Sequence, residues 1–562
     1  MLDIKRHTLL RIFISNGRDH FKRLYSLLGT VMIALLTAAC PVYAGQLILQ
    51  NAGDQSITCT VDGFTVQSGG TQDVTFTVPP NASIHVLPNI ARADQQISWV
   101  NCGQLKARKL TVGTNSANQR LLFNSRQTRV LNVSLYPYLP ALPPTNLEGL
   151  ADYVIKTYQE DNPQVLLNLT MDGAGPIKIY SFDDLPDYLN DQGFDVMELD
   201  MMYLGFLVDK GLINRQERPS GSPLPVALAA SSVDGVLYAI PSWLCMDFLY
   251  STNPALQQVS SLTALQTFLK NSPSGQTPLV ADYVGKWRLP SMYVNAYVQE
   301  YGINKIGDAF NMPPDAKVMS NLTALVGTCA ANGKDFCVDE TYHDAPGTVE
   351  QTFAHGSAYA NVGFSEQSFY TTLAGSFAPL YVTPMTWGKR PQPLLYADSF
   401  VTNKASCPSN SQCGADAAKF INVMTSLPMK NYIVMSKDYP VRTPWRTLLV
   451  PYESFYEQRE VIDNPLYSQY QTVFKNAVTF PNTWTAAQQT SMRTQICGVF
   501  QATFPKYACT PPAAAPKASG PIKLKRPSTP AQQPRRGSKV PIDRPASQAA
   551  PTPQQRVLHG RR

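Results

Sequence analysis

The sequence predicts an α/β body folded as two lobes, preceded by a small all-β domain and followed by a disordered, Pro-rich basic tail. Three observations predict it. Strand-like runs alternate with helical patterns over residues 131–509, which argues a body with parallel sheets. Short β-branched segments separated by Gly, Asn and Pro fill residues 45–130. From residue 510 onward Pro, Ala, Ser and Gln with basic residues replace any apolar periodicity. The body is too long for a single core, hence the expectation of two lobes.

Residues 1–44 carry Lys5, Arg6, Arg11, Arg18, Lys22 and Arg23, then an uncharged, mostly apolar run from Leu24 to Ala39 and Val42-Tyr43-Ala44 before Gly45. This pattern reads as a secretory signal cleaved after Ala44, so the expected location is periplasmic or secreted. Thr37-Ala38-Ala39-Cys40 offers a second reading, a lipoprotein site that leaves Cys40 lipidated. No later run reaches the length that spans a bilayer.

In the β domain, the segments 45–50, 72–78 and 82–87 predict strands of a sandwich, with Cys59 and Cys102 as a candidate cross-link. The body opens on the β-rich run Val130–Tyr138, continues into an amphipathic helix over Asn146–Glu160, and then into a strand over 194–199 that closes on Asp200. The tail carries a balance of +10 and the leader +4. With a formal net charge of +7 for the chain, the folded part between them is acidic, at −7. The basic tail suits non-specific contact with polyanionic surfaces and argues for no specific nucleic-acid partner.

Ten cysteines occur, at 40, 59, 102, 245, 329, 337, 407, 413, 497 and 509. Beyond the leader, eight fall into local pairs, 59 with 102, 329 with 337, 407 with 413 and 497 with 509, as an oxidising compartment permits. Cys245 is left over. No Cys-x-x-Cys spacing occurs and the six histidines show no ligand-like spacing, so a zinc site is not expected.

Three stretches of the body combine chemistry-bearing residues. In Val233–Cys245 an Asp-Gly turn, a short strand and Pro241 lead to a place where a helix can start near Cys245. There the helix N-terminus would lower the thiol pKa and make a nucleophile; the alternative is a buried apolar cysteine beside Trp243 and Leu244. Ala358–Glu366 reads as a buried strand ending in Gly-Phe-Ser-Glu, which places Glu366 where a general base for a thiol could stand, or where a solvated or capping acid could. Pro393–Asp398 reads as a strand end bearing Tyr396 and Asp398. With Tyr136, Tyr138 and Asp200 these form a set of aromatic and acidic side chains suited to a flat, cationic ligand.

The order and spacing of Leu-Tyr-Pro-Tyr at 135–138, Asp-Val-Met-Glu-Leu-Asp at 195–200, Tyr-Ala-Ile-Pro-Ser-Trp-Leu-Cys at 238–245, Gly-Phe-Ser-Glu at 363–366 and Tyr-Ala-Asp at 396–398 resemble the thiaminase I (thiamine pyridinylase) family. The resemblance covers roughly residues 130–500 and implies the two-lobed, type II fold of periplasmic binding proteins. It also implies a transferase that exchanges the thiazole of thiamine for an amine or thiol co-substrate, without a cofactor and as a monomer. Cys245 takes the family's nucleophile position and Glu366 its general base, with Tyr136, Tyr138, Asp200, Tyr396 and Asp398 as substrate-binding residues. Phe364 departs from the family pattern, which has Tyr there. Two other classes fit parts of the chain. One is an exported solute-binding receptor that closes on a ligand without catalysis; the other is an adhesion protein acting through its β domain and tail.

Overall fold

The computed structural model describes residues 46–507, except 66–70, 87–94, 113–117, 136–138, 143–146, 172–184, 186–188, 190–192, 220, 285–287, 330–336, 340–346, 376–378, 391 and 475–476. The leader, Cys40, Tyr136, Tyr138, Cys509 and the basic tail therefore lie outside the described residues.

The β-branched segments near the N-terminus form seven strands: β1 (Leu47–Asn51), β2 (Ile57–Thr65), β3 (Thr71–Val78), β4 (Ala82–Val86), β5 (Gln95–Cys102), β6 (Leu105–Val112) and β7 (Gln119–Phe123). They make two sheets, ordered β4-β1-β7 and β3-β2-β5-β6. Period-two alternation turns Gln119, Leu121 and Phe123 of β7 inward. Leu121 and Phe123 join Leu47 and Leu49 of the first sheet and Val61, Val78 and Val100 of the second in one buried cluster. Cys59 and Cys102 sit opposite each other on β2 and β5 and are disulfide-bonded.

The body contains two further sheets. The first uses β8 (Arg129–Ser134), β9 (Val165–Thr170), β10 (Val196–Asp200), β13 (Ile240–Cys245) and β18 (Leu394–Thr402), in the order β13-β18-β10-β8-β9, with the short β19 (Val478–Thr479) also on β18. The second orders β15 (Thr277–Val280), β16 (Ala358–Gly363), β14 (Phe248–Ser251) and β17 (Tyr381–Pro384) as β15-β16-β14-β17. Every residue of β9, β10, β16 and β18 is buried, as in a sheet covered on both faces. The amphipathic stretch predicted after residue 146 is a helix over Glu148–Asp161, with Leu150, Val154, Ile155 and Tyr158 buried. The Asp-Gly turn joins the hairpin β11 (Ser232–Val233) and β12 (Val236–Leu237), with Asp234 and Gly235 at φ 50° and 75°.

The sheets are mixed, not parallel as the alternating pattern suggests. β8 runs parallel to β9 and β10, but β18 is antiparallel to both β10 and β13, and β14 is antiparallel to β16 and β17. The reason is where the chain changes sheet. β13 passes to β14 through only Met246 and Asp247, and β17 returns to β18 through Met385–Pro393. These two connections touch, Met385 N–H donating to Asp247 O at 2.9 Å.

Disulfides join Cys329 to Cys337 and Cys407 to Cys413. Cys497 is also disulfide-bonded, and Cys245 is the free cysteine among the described residues. None of the described helices is long and apolar enough to cross a membrane.

One ion pair is a structural keystone of the body. Arg446 and Asp438, 0% and 1% exposed, make a two-pronged contact at 2.7 and 2.6 Å, and Arg446 also donates to the carbonyls of Pro140 and Ile433 at 2.8 and 2.9 Å. Arg446→Met strands the Asp438 carboxylate in a dry interior and is expected to cost about 3–5 kcal/mol, read as a lower urea midpoint at unchanged slope.

Candidate active site

Cys245 is the last residue of a strand, not the first of a helix. Residues 240–245 pair with β18, the register slipping between Pro241 and Trp243, and on the other side Leu244 N–H donates to Leu449 O at 2.9 Å. These long-range partners fix an extended conformation that the local Pro-Ser-Trp-Leu-Cys pattern does not reveal. The expected lowering of the thiol pKa is accordingly reversed. Burial pushes the Cys245 thiol well up, and the carboxylates of Asp398, Glu366, Asp200 and Asp247 push it further. Sγ–H points to Asp398 Oδ2 at 3.8 Å.

Asp398 and Tyr396 stand inside β18, not at its end, because the strand continues through Phe400 and Val401 to Thr402. The pairing register explains their position. Tyr396 faces Cys245, and Asp398 faces Asp200 across one strand boundary and Trp243 across the other. Both acids are buried, and like charges so placed resist joint ionisation. Burial raises Asp200 to about 7 although its Oδ1 accepts from Met202 N–H at 2.9 Å; burial and the Asp200 charge hold Asp398 well up. Asp398 Oδ1 has no hydrogen-bond partner among the described residues, which leaves an acceptor for a ligand donor. The Tyr396 hydroxyl accepts from Asn295 Nδ2 at 2.7 Å.

Glu366 lies in the one-turn helix Ser365–Gln367, directly after β16. This turn is held from several sides. Gln367 Oε1 accepts from Phe364 N–H at 2.7 Å, Tyr250 donates to Phe364 O at 2.9 Å, and Thr447 donates to Ser365 O at 2.8 Å. A Cβ on Gly363 would lie 1.9 Å from Gln367 Oε1, so a larger residue there would push the Gln367 side chain off its bond to Phe364 N–H. The Glu366 side chain is half-buried and accepts from Ser365 Oγ at 3.2 Å. Burial raises its carboxyl to about 7, with Asp247 adding to the rise and Arg288 opposing it.

Two participants have no counterpart in the sequence reading. Asp247, in the crossing two residues beyond Cys245, is ion-paired with Arg288 at 2.5 Å, with side-chain exposures of 4% and 12%. The Arg288 guanidinium also sits 4.8 Å from the centroid of the Phe364 ring and donates through Nε to Asp282 O at 3.1 Å. Phe364 therefore packs a cation against its face at the position where a tyrosine was expected. Asp247 follows the Val233–Cys245 stretch by two residues, and that proximity to the thiol was the one available signal; nothing local marks Arg288. Among the described residues, the clustered metal-type ligands Asp195, Cys407 and Cys413 include two sulfurs already spent in a disulfide.

No family model matches the chain. A curated protein, thiaminase-1 of Paenibacillus thiaminolyticus, is 28% identical over 257 residues, covering 42% of this chain and 56% of that protein. The match thus spans little more than half the relative's length. The chain is a distant relative of the thiaminase I family. Solved structures agree on the fold. Thiaminase I from Bacillus thiaminolyticus (23% identity, TM-score 0.52) is covered over 99% of its length by 66% of this chain. Clostridium botulinum thiaminase I in complex with thiamin (18%, TM-score 0.53) is covered over 100% by 66%. An ABC transporter solute binding protein from Thermotoga lettingae bound with α-D-tagatose (14%, TM-score 0.50) is covered over 95% by 68%. A mixed α/β, periplasmic-binding-protein-like body thus accounts for about two thirds of the chain, and the N-terminal β sheets are additional.

Proposed function

We propose that the protein is an exported thiamine-degrading transferase that exchanges the thiazole of thiamine for an amine or thiol. The observation that carries this reading is the convergence of a free thiol, a carboxyl raised to about 7 and a buried acid pair, from β13, the turn after β16, β18 and β10. Glu366 takes the Cys245 proton as Sγ adds to C6 of the aminopyrimidine. The thiazole leaves from the methylene carbon with the electron pair of the broken C–N bond. The incoming nucleophile then bonds to that carbon and gives up its proton, and Cys245 departs and is reprotonated. Asp398 and Asp200 orient the amino group and ring nitrogens, Asp398 Oδ1 being the unfilled acceptor, and Tyr396, Tyr136 and Tyr138 complete the ring-binding set. The acid cluster also suits the positively charged thiazolium.

The same reading takes the body as two lobes of the type II kind over residues 131–509, joined at the Met246–Asp247 crossing and its partner, with a separate domain over 45–130. It also takes the enzyme to be monomeric, with secretion by the leader and polyanion contact by the tail. Purified protein given thiamine and an aromatic amine is expected to release free thiazole and leave a pyrimidine adduct on Cys245 when a slow substrate analogue is used. Reversible thiamine binding with neither product would overturn the transferase in favour of a receptor.

A further inference from the structure

Two buried polar groups near the nucleophile are left bare, and the thiol, the base and the acid pair of the exchange do not use them. Tyr283, just beyond β15, is 0% exposed, and its hydroxyl makes no hydrogen bond among the described residues. The residue itself is fixed in place: Tyr283 N–H donates to Cys337 O at 3.0 Å, and the Tyr507 hydroxyl donates to Tyr283 O at 3.3 Å. The charged groups that act on the bare hydroxyl are Arg288 and Asp247. Asp247 is buried too; it gives Oδ1 to Arg288 and leaves Oδ2 without a hydrogen-bond donor. The Asp247 charge also reaches Cys245 and the Tyr396 hydroxyl, and Tyr396 stands opposite Cys245 in register. Asp247 is therefore the neighbour common to the thiol and to the bare Tyr283 hydroxyl. A buried hydroxyl and a buried carboxylate oxygen with no partner cost stability, and a bound donor removes that cost.

We propose that Asp247 Oδ2 and the Tyr283 hydroxyl receive the incoming nucleophile, and that the nucleophile they select is an uncharged amine bearing at least one N–H, a reading that rests on the exchange at Cys245. A carboxylate only accepts hydrogen bonds, so its partner has to donate. A primary amine gives one N–H to Asp247 Oδ2 and one to the Tyr283 oxygen, which leaves its lone pair free to attack the methylene carbon. A ring nitrogen without hydrogen, as in pyridine, offers nothing to either acceptor, and a thiol offers only a weak donor. Arg288 decides the charge. Its guanidinium is permanently cationic and already matches the Asp247 carboxylate, so an ammonium gains no net attraction there and, protonated, has no lone pair to attack with. The bond made is the exchange's own, and the proton that the amine loses balances the one that Cys245 regains on departure.

The test is thiazole release from thiamine by the full chain with aniline or with pyridine, two nucleophiles of similar basicity of which only aniline carries N–H. The quantity read is the aniline-to-pyridine ratio of kcat/KM, compared between parent and Tyr283→Phe so that intrinsic reactivities cancel. Tyr283→Phe is expected to lower that ratio by about tenfold, as when a buried donor loses its acceptor. It is also expected to melt no lower than the parent, because the hydroxyl it deletes has no partner within the chain. A ratio within about twofold of the parent's, or a lower melt that reveals a structural role for the hydroxyl, would overturn the proposal. Thiazole released by the parent with the ratio unmoved removes the amine subsite and leaves the transferase standing; no thiazole from the parent with either nucleophile removes both.

Discussion

Cys245→Ser is expected to lower thiazole release by about a thousandfold or more while leaving the fold intact. The setting already works against ionising a thiol, through burial and four surrounding carboxylates. A hydroxyl, far less acidic, cannot form its anion there, and no lysine or histidine is within reach of Sγ among the groups that act on it. Packing changes little, because serine is nearly isosteric and its hydroxyl can still donate to Asp398. The measurement pairs thiazole release with a thermal melt. A normal melt with lost turnover and no adduct is the expected combination; undiminished thiamine consumption by the variant would sink the assignment of Cys245.

Glu366→Gln is expected to lower turnover by about 10²–10⁴-fold and to remove the acid limb of the pH–rate profile. With its carboxyl raised to about 7, Glu366 becomes a competent base only as pH rises through that value, so wild-type activity should climb there and the variant's should stay flat. The same shift has a stability consequence of definite sign. The carboxyl is raised in the folded state from its ordinary value of 4.5 to about 7, so the fold holds the proton more tightly than the unfolded chain does. Stability is then fully present below about pH 4.5 and falls as pH rises towards 7. Glutamine removes that loss, so the variant should melt higher than wild type at about pH 8 and alike at about pH 4. A variant that keeps both the acid limb and the wild-type melt would show that another group is the base.

Much of the site is legible along the chain because its members occupy local patterns. Counting cysteines isolates Cys245, since every other described cysteine is disulfide-bonded. Gly-Phe-Ser-Glu marks the end of a buried strand, and the structure places a turn there, where Gly363 leaves room for the Gln367 side chain. Asp200 closes a strand as expected. Three features are not legible this way, and each depends on contacts far along the chain. A helix start near Cys245 was one reading of the local pattern, but β18, some 150 residues away, draws Cys245 into a strand. The local sequence admits either state, and backbone pairing chooses between them. Asp398 was expected at a strand end, whereas its position opposite Asp200 follows from antiparallel register, which no single segment encodes. Arg288 is an ordinary basic residue in a helical segment until folding removes water from it and leaves Asp247 to balance its charge. By itself the sequence determined which residue types were available, a thiol, a strand-end carboxylate and paired acids, because composition and local periodicity are written along one dimension. Only the tertiary structure decided that burial and close carboxylates push the Cys245 thiol pKa well up, because desolvation and Coulomb energies depend on what surrounds a group in space.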